Sequence, residues 1–284
     1  MSFWVIQTVN GLAFASLLFL LSIGFTLIFG LMRIIKLTHG SYYLIGSYMS
    51  LTVMSRTGNF LLALLVGGLT VTALGIIQEK TLLRRFHGKS YSQVLLTLGL
   101  WFIFDDLLLV IFGGYPYRIP PPAILSGAMT MLDVTFPKYR LFLVAVGVVV
   151  AVLIWLIIEK TKIGAIIRAG ADNEEIARAM GINVDKAFIF AFALGSFLAG
   201  AAGVFGGPML GVEPALSGII LPLALVVVIV GGLGSLKGAL VGSLFVGLMD
   251  NFGRALFPEL SYFTLFLPMA IILAFRPQGL FGRK

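Results

Sequence analysis

The sequence offers few side chains that could do chemistry, and its clearest glycine motif is incomplete. The stretch GGLGSLKG, Gly231 to Gly238, has the glycines and the lysine of a phosphate-binding loop. A P-loop needs Gly-Lys-Ser/Thr, so that backbone amides, the ammonium and a hydroxyl converge on phosphate and magnesium. Here Lys237 follows Leu236 and precedes Gly238, and the third glycine of a dinucleotide-binding pattern comes one residue late. We therefore expect no nucleotide site in this tract.

Two aspartates and two histidines are the other candidates. Asp105 and Asp106 stand in the middle of an apolar run, where a charge needs a partner, water or protonation. Successive helical positions point about 100° apart, so the two are not expected to face one ligand. Asp105 either lines a substrate pathway or pairs structurally with another helix. His39 and His87 have no neighbouring metal-ligand residues, so no metal site is expected.

Composition identifies the elements that must hold these residues. Hydrophobic residues make up 59% of the chain and charged residues 11%, too little polar surface for a soluble globule. A bilayer core takes about 20 apolar residues per helix, far more than a barrel strand needs. We therefore predict an all-α integral membrane protein, a single transmembrane domain over residues 1–284 with eight to nine membrane segments. Six long runs are Gly11–Leu31, Phe60–Ile77, Tyr91–Phe112, Leu141–Ile158, Ala187–Phe205 and Tyr262–Phe275, and three shorter ones are Ser41–Met54, Ile219–Leu233 and Ala239–Met249.

Basic residues predict the orientation of these segments. With the N-terminus outside and nine crossings, fifteen Lys and Arg residues fall inside, among them Arg33, Arg283 and Lys284, and five fall outside. The positive-inside rule favours this arrangement, which puts the C-terminus in the cytoplasm. The net charge of +8 is then mostly a topology signal, and no nucleic-acid partner is expected.

Two glycine-containing segments predict broken or re-entrant helices. Leu37–Tyr48 and Ile219–Met249 are short and interrupted by polar residues, and each pairs a basic residue and glycine with a later Gly-Ser, which suggests an inverted repeat. Non-helical backbone at membrane depth is tolerated where it lines a cavity or is buried in protein. The alternative is that the glycines allow close helix packing. The candidate pathway residues are His39, Gly40, Gly46, Ser47, Asp105, Gly231, Gly232, Gly234 and Ser235.

The longest polar stretch, residues 159–186, predicts a short cytoplasmic helix. Asp172 is the expected N-cap, Glu175 completes a capping box, and Gly181 ends the helix. Ile176 and Met180 share one face at i and i+4. So short a helix is marginal alone, so its apolar pair either meets a partner or folds back onto this chain.

Four stretches together resemble the branched-chain amino-acid ABC transporter permease family. They are GFTLIFGLMRIIKLTHGSYYLIGSY, TLGLWFIFDDLLLVIFGG, RAGADNEEIARAMGINVDKAFIFAFALGSFLAGAAGV and GGLGSLKGALVGSLFVGL, in family order. Members resemble one another across substrates that include amino acids, urea, amides and small aromatic acids. Asp105 and Asp106 are more acidic than the polar pair expected at that place.

The resemblance implies an importer in the bacterial inner membrane. The implied partners are a paralogous permease, two cytoplasmic ATP-binding subunits that carry ATP and magnesium, and a periplasmic solute-binding protein. This chain would hold no cofactor and would not be an enzyme. ATPase coupling would fall to Asp172, Glu175, Ile176, Ala177, Met180 and Gly181. A secondary transporter or channel stays an alternative, and a membrane-embedded enzyme is disfavoured because the sequence has no HExxH motif or nucleophile elbow.

Overall fold

The computed structural model describes residues 2–32, 36–86, 88–131 and 134–282, and most of them are helical. Arg33, His87, Arg283 and Lys284 lie outside the described residues. Within these ranges the α-helices are α1 Ser2–Met32, α2 His39–Thr57, α3 Phe60–Thr81, α4 Ser90–Phe112, α5 Lys138–Lys160, α6 Lys162–Asp172, α7 Glu174–Ala179, α8 Val184–Leu210, α9 Leu216–Gly231, α10 Leu236–Leu256 and α11 Ser261–Phe275. A small hairpin of β1 Ala128–Met131 and β2 Val134–Pro137 lies between α4 and α5.

Six spans in the described chain are long and apolar enough to cross a membrane. They are Phe3–Leu31, Phe60–Phe86, Ser90–Phe112, Lys138–Lys160, Val184–Leu210 and Pro258–Phe275. The three remaining long helices, α2, α9 and α10, are shorter or more polar and correspond to the three short apolar runs of the sequence. The protein is thus an all-α membrane protein, as predicted.

α1 and α8 form the centre of the bundle. Their apolar windows are 83% and 72% buried, whereas those of α4 and α11 are 11% and 6% buried. Glycines let α8 approach its neighbours, because a Cβ added to Gly195, Gly200 or Gly203 would meet α1, α3 or α2 respectively. The small residues of α8 therefore serve close helix packing.

The helix packing follows a repeated order. The helices α1, α2, α3 and α4 correspond to α8, α9, α10 and α11 in their contacts. The contact of α1 with α10 corresponds to that of α8 with α3, and the contact of α2 with α3 corresponds to that of α9 with α10. In the same way, α2 packs on α4 and α9 packs on α11. In this correspondence α2 matches α9. The sequence motifs had instead matched a segment of α2 with residues 237–243, which open α10.

Within the segment Leu37–Tyr48, which was predicted to be broken or re-entrant, Gly46 and Ser47 do not interrupt the helix. Both residues lie inside the continuous helix α2, and the chain leaves helical geometry earlier, at Lys36–Thr38. A Cβ on Gly46 would collide with the backbone of Gly200. The Ser47 hydroxyl donates to the carbonyl oxygen of Gly203 at 2.9 Å. The close-packing alternative therefore accounts for this Gly-Ser pair.

The glycine tract forms the turn of a helical hairpin. α9 ends at Gly231, and Gly232 and Gly234 adopt φ values of 107° and 78°, which favour glycine. Ser235 caps α10, since its side chain accepts a bond of 3.0 Å from the Gly238 amide. Gly234 is exposed, so the turn lies at a surface of the bundle.

The C-terminal tail closes the end of this hairpin. The last carbonyl groups of a helix have no partner within the helix. At the end of α9, the Leu280 amide donates to the Val230 carbonyl at 2.8 Å, and the Phe281 amide donates to the Gly231 carbonyl at 2.9 Å. These two carbonyl groups at the end of α9 are thus satisfied by backbone amides of the tail.

Candidate functional site

A polar cluster joins α2, α4 and α9 around one carboxylate. Asp105 Oδ1 accepts a hydrogen bond of 2.7 Å from the Ser41 hydroxyl. Oδ2 accepts one of 2.8 Å from the Trp101 indole Nε1 and another from the Ser217 hydroxyl. We call these four residues the Asp105 junction. Asp105 therefore pairs with two other helices through neutral donors, as the structural alternative predicts.

A glycine brings the two flanking helices together at this junction. Ser41 lies in the first turn of α2 and Ser217 in the first turn of α9. A Cβ added to Gly40 would lie 2.8 Å from the Ser217 carbonyl oxygen and 3.0 Å from Leu221 Cβ. Gly40 is therefore a site of close backbone approach, and any larger residue would separate α2 from α9.

The junction lies near the middle of the long helices, away from their ends. Trp101 and Asp105 are in the middle of α4. His39 opens α2, and its Nε2 lies 3.0 Å from the carbonyl oxygen of Leu21, which is well inside α1. The start of α2 is therefore at the depth of the middle of α1. The His39 ring itself turns toward α1, where it also packs edge-on against Phe25 at 5.6 Å, and does not join the junction.

Asp105 has no cationic partner among the described residues. The ion pairs of residues 2–32, 36–86, 88–131 and 134–282 do not include it. Asp106 is exposed and does not share its hydrogen bonds. The two carboxylates point to different sides, as their 100° separation predicts.

Tyr48 has a buried polar group farther along α2 than the junction. The residue is buried, and its hydroxyl makes no hydrogen bond with any described residue. The ring stacks on Phe112 at 4.3 Å and meets Tyr117 edge-on at 6.5 Å. Tyr48 lies seven residues beyond Ser41 on α2, about 10 Å along the helix axis. A buried hydroxyl without a partner marks a place where a polar group can be accepted.

A second buried cluster holds the segment before α2. Lys36 is fully buried, with its ammonium 3.3 Å from the Ser196 hydroxyl and over the rings of Tyr42 and Phe192, at 3.9 and 4.6 Å from their centroids. The buried carboxylate of Glu79 interacts with it electrostatically. Lys36 is one of the fifteen basic residues that the topology prediction places in inside loops, and its position between two apolar segments is the signal that it could be buried.

The cytoplasmic stretch differs from its prediction at the cap of the short helix. Asp172 is not the N-cap, because it is the last helical residue of α6. Asn173 has the extended φ and ψ that a cap needs, and its side chain accepts a bond of 3.0 Å from the Ile176 amide. The predicted capping box with Glu175 is therefore not formed.

The end of α7 and its apolar pair are as predicted. Gly181 adopts φ 78°, its amide donates to the Arg178 carbonyl, and the Ile182 amide donates to the Ala177 carbonyl, both at 3.0 Å. This is the Schellman arrangement. Ile176 and Met180 are 58% and 75% exposed, whereas Ala177 is buried. The apolar pair therefore does not fold back onto the described chain.

Ion pairs connect α7 with the membrane helices. Arg178 contacts Asp185 at 2.6 Å and Glu174 at 2.9 Å, and Arg84 contacts Asp185 at 2.5 Å. The hydrogen bonds that Arg178 donates to Asp185 and Glu174 raise its pKa above the usual value. We call these four residues the Asp185 network. It connects α7 with the start of α8 and with the 3₁₀ turn that follows α3.

The structure brings some predicted site residues together and leaves others apart. Gly40 contacts the backbone of Ser217, a partner of Asp105. Gly46 and Ser47 lie farther along α2, and the turn Gly231–Ser235 lies beyond the far end of α9. Ser41 and Ser217 were missed as partners of Asp105, because pairing between distant helices leaves no spacing pattern in one sequence. Among the described residues, no group of three His, Cys, Asp or Glu could hold a metal.

Comparisons with known proteins agree along most of the chain. The family described as branched-chain amino acid transport system / permease component matches residues 7–275. The permease protein BraD of the high-affinity branched-chain amino acid transport system of Pseudomonas aeruginosa is 27% identical, covering 98% of this chain and 95% of its own. LivH of Escherichia coli, with the same description, is 26% identical over the same shares. The probable branched-chain amino acid transport permease protein LivH of Methanocaldococcus jannaschii is 29% identical over 85% and 78%. No solved structure matches significantly.

Proposed function

Because the chain belongs to the family of permease components of branched-chain amino acid transport systems, we propose that it imports branched-chain or related amino acids as one subunit of an ATP-driven transporter. The chain is a permease subunit, and ATP hydrolysis lies on separate subunits. In the proposed assembly it pairs with a paralogous permease, two cytoplasmic ATP-binding subunits and a periplasmic solute-binding protein. The assembly lies in the bacterial inner membrane, with the N-terminus of this chain outside and its C-terminus in the cytoplasm.

The main support for coupling to an ATP-binding subunit is the exposed apolar pair of α7, a helix that the Asp185 network connects to the membrane helices. Ile176 in α7 and Met180 at its C-terminal end are exposed, whereas Ala177 of the same helix is buried. Exposed apolar side chains on a short helix suit a groove in a partner. Because the Asp185 network ties α7 to α8 and to the end of α3, a push on α7 would move both helices as one body.

The proposed route runs past the Asp105 junction. α2 and α9 begin inside the bundle there, so their first turns can face a moving solute. His39 and Gly40 hold the start of α2 in place, and Gly46 and Ser47 fix its packing on α8. The turn Gly231–Ser235 would border the cytoplasmic mouth. The packing order relates α1–α4 to α8–α11 as an inverted repeat would, with α2, α9 and α10 completing eight to nine membrane segments.

Reconstitution of the full set of subunits tests this function. Proteoliposomes with internal ATP and external binding protein should accumulate labelled leucine and hydrolyse ATP faster when leucine is present. Met180→Glu should break the contact with the ATP-binding subunit and lower uptake strongly, since a charge would enter an apolar groove. Ala165→Glu adds the same charge to an exposed position of α6 and should leave uptake unchanged.

Two outcomes would contradict the proposal. Equal uptake by Met180→Glu and wild type would exclude α7 as the docking helix. Uptake that proceeds without ATP would support a secondary transporter or channel.

A further inference from the structure

We propose that Asp105 binds the ammonium group of the transported amino acid. This inference rests on the proposed function and names the residue that would select one substrate class within it. The observations that carry it are the hydrogen bonds of the Asp105 junction, its position in the bundle and the buried hydroxyl of Tyr48.

The hydrogen bonds to Asp105 come only from neutral groups. All three of its partners, Ser41, Trp101 and Ser217, are neutral donors. Donors to a carboxylate favour the ionised form. The N-termini of α2 and α9 also meet here, and helix N-termini favour negative charge. None of these groups carries a formal positive charge that could neutralise the carboxylate.

The carboxylate has room for one more donor. Its two oxygens have about four acceptor positions together. Oδ2 receives two hydrogen bonds and Oδ1 receives one, so one position on Oδ1 is unused by any described residue. Asp105 as a whole is partly exposed. An ionised carboxylate inside a membrane protein needs a cation or water there.

The surroundings suit an amino acid with an aliphatic side chain. The indole of Trp101 gives apolar surface beside the carboxylate, and the stacked rings of Tyr48 and Phe112 lie about two helical turns farther along α2 and α4. The Tyr48 hydroxyl has no partner among the described residues and can donate to, or accept from, a polar group of the solute. A primary ammonium brings the positive charge that Asp105 lacks. Urea and amides bring no charge, and aromatic acids bring a negative one.

The test compares two neighbouring aspartates in the reconstituted importer. Asp105→Asn keeps the shape of the side chain and removes its charge. Leucine uptake should fall at least about 30-fold, the order expected when one partner of a desolvated charge pair is removed. ATP hydrolysis stimulated by the leucine-loaded binding protein should stay within about twofold, because that signal arises from docking. Asp105→Glu should recover part of the uptake, and the control Asp106→Asn should transport like wild type.

The ratio of leucine uptake to ATP hydrolysis separates a binding role from a structural one. If Asp105→Asn transports like wild type, or if both Asp105 variants lose thermal stability and ATP hydrolysis together with uptake, the inference is overturned. Replacing sodium with N-methylglucamine tests a metal cation as the occupant instead. Uptake that depends on sodium in wild type but not in Asp105→Asn would also overturn it. Failure of the wild-type importer to move any amino acid would instead reject the proposed function.

Discussion

Gly24 of α1 and Gly195 of α8 lie against each other's backbone where the two central helices cross. A Cβ added to Gly24 would lie 2.5 Å from the Gly195 carbonyl oxygen, and one added to Gly195 would lie 2.7 Å from the Gly24 carbonyl oxygen. The contact is therefore reciprocal, and it sets the distance between the two most buried of the six long spans. Small residues are the usual means by which membrane helices pack closely.

Replacing either glycine of this crossing should destabilise the protein. Gly24→Ala or Gly195→Ala would force α1 and α8 apart, at a cost of about 1–3 kcal/mol for overpacking. Gly99→Ala is the matched control, because Gly99 is also helical and a Cβ there meets nothing within 4 Å. Thermal unfolding of the purified protein in detergent should show a lower midpoint for the first two variants only. A midpoint like wild type for Gly195→Ala would contradict the close crossing.

Charge reversal in the Asp185 network should weaken coupling without unfolding the protein. Arg84→Glu places a carboxylate beside Asp185, whereas Arg85→Glu makes the same change at the next residue, which forms no ion pair in the described part of the chain. Exposed ion pairs contribute about 0.2–1 kcal/mol each, so the expected loss in leucine uptake per ATP is at most about fivefold. Uptake and ATP hydrolysis measured in parallel decide the matter, and equal losses in both variants would exclude a specific role for the network.

Single cysteines should report the opening of the Asp105 junction. The natural chain has no cysteine, so each introduced thiol is the only one. Ser41→Cys lies at a fully buried position at the start of α2, and Ser55→Cys lies at an exposed position near its end. A water-soluble maleimide should modify position 55 in every state. It should modify position 41 faster during turnover with loaded binding protein and ATP, and a rate independent of turnover would exclude the proposed route.

Removing the C-terminal tail should destabilise the α9–α10 hairpin. A chain that ends at Gln278 loses the amides of Leu280 and Phe281, which bind the last carbonyl groups of α9. Two hydrogen bonds of this kind contribute roughly 1–3 kcal/mol together. A chain that ends at Gly282 keeps both amides and is the control. The chain that ends at Gln278 should therefore have the lower midpoint of thermal unfolding. Equal midpoints would show that the carbonyl groups find other partners.

Local features of the fold could be predicted because local forces produce them. Apolar length gave the long helices, and the αL preference of glycine gave the end of α7 at Gly181. The predicted N-cap of α7 was one residue too early, because Asp172 and Asn173 are both good capping residues. α6 extends through Asp172, so the cap falls on Asn173.

The candidate site could be predicted only in part, because it depends on contacts between distant residues. The cost of a carboxylate in an apolar run identified Asp105, but its partners Ser41 and Ser217 are 64 and 112 positions away. The same limit explains the Gly-Ser pairs. Gly46 and Ser47 looked like a break because glycine and serine occur both at breaks and at close helix contacts, and only the neighbouring α8 shows which applies.

The central position of α1 has a consequence for biogenesis. Ser22 contacts a residue 202 positions later in the chain, and Gln7 contacts one 244 positions later. At roughly 5–20 residues per second, α1 waits about 10–50 s after synthesis before these partners leave the ribosome. During that time a helix built for burial in protein is surrounded by lipid or by the insertion machinery. The native bundle can close around α1 only when the last third of the chain has entered the membrane, so assembly of this subunit is completed late in translation or after it.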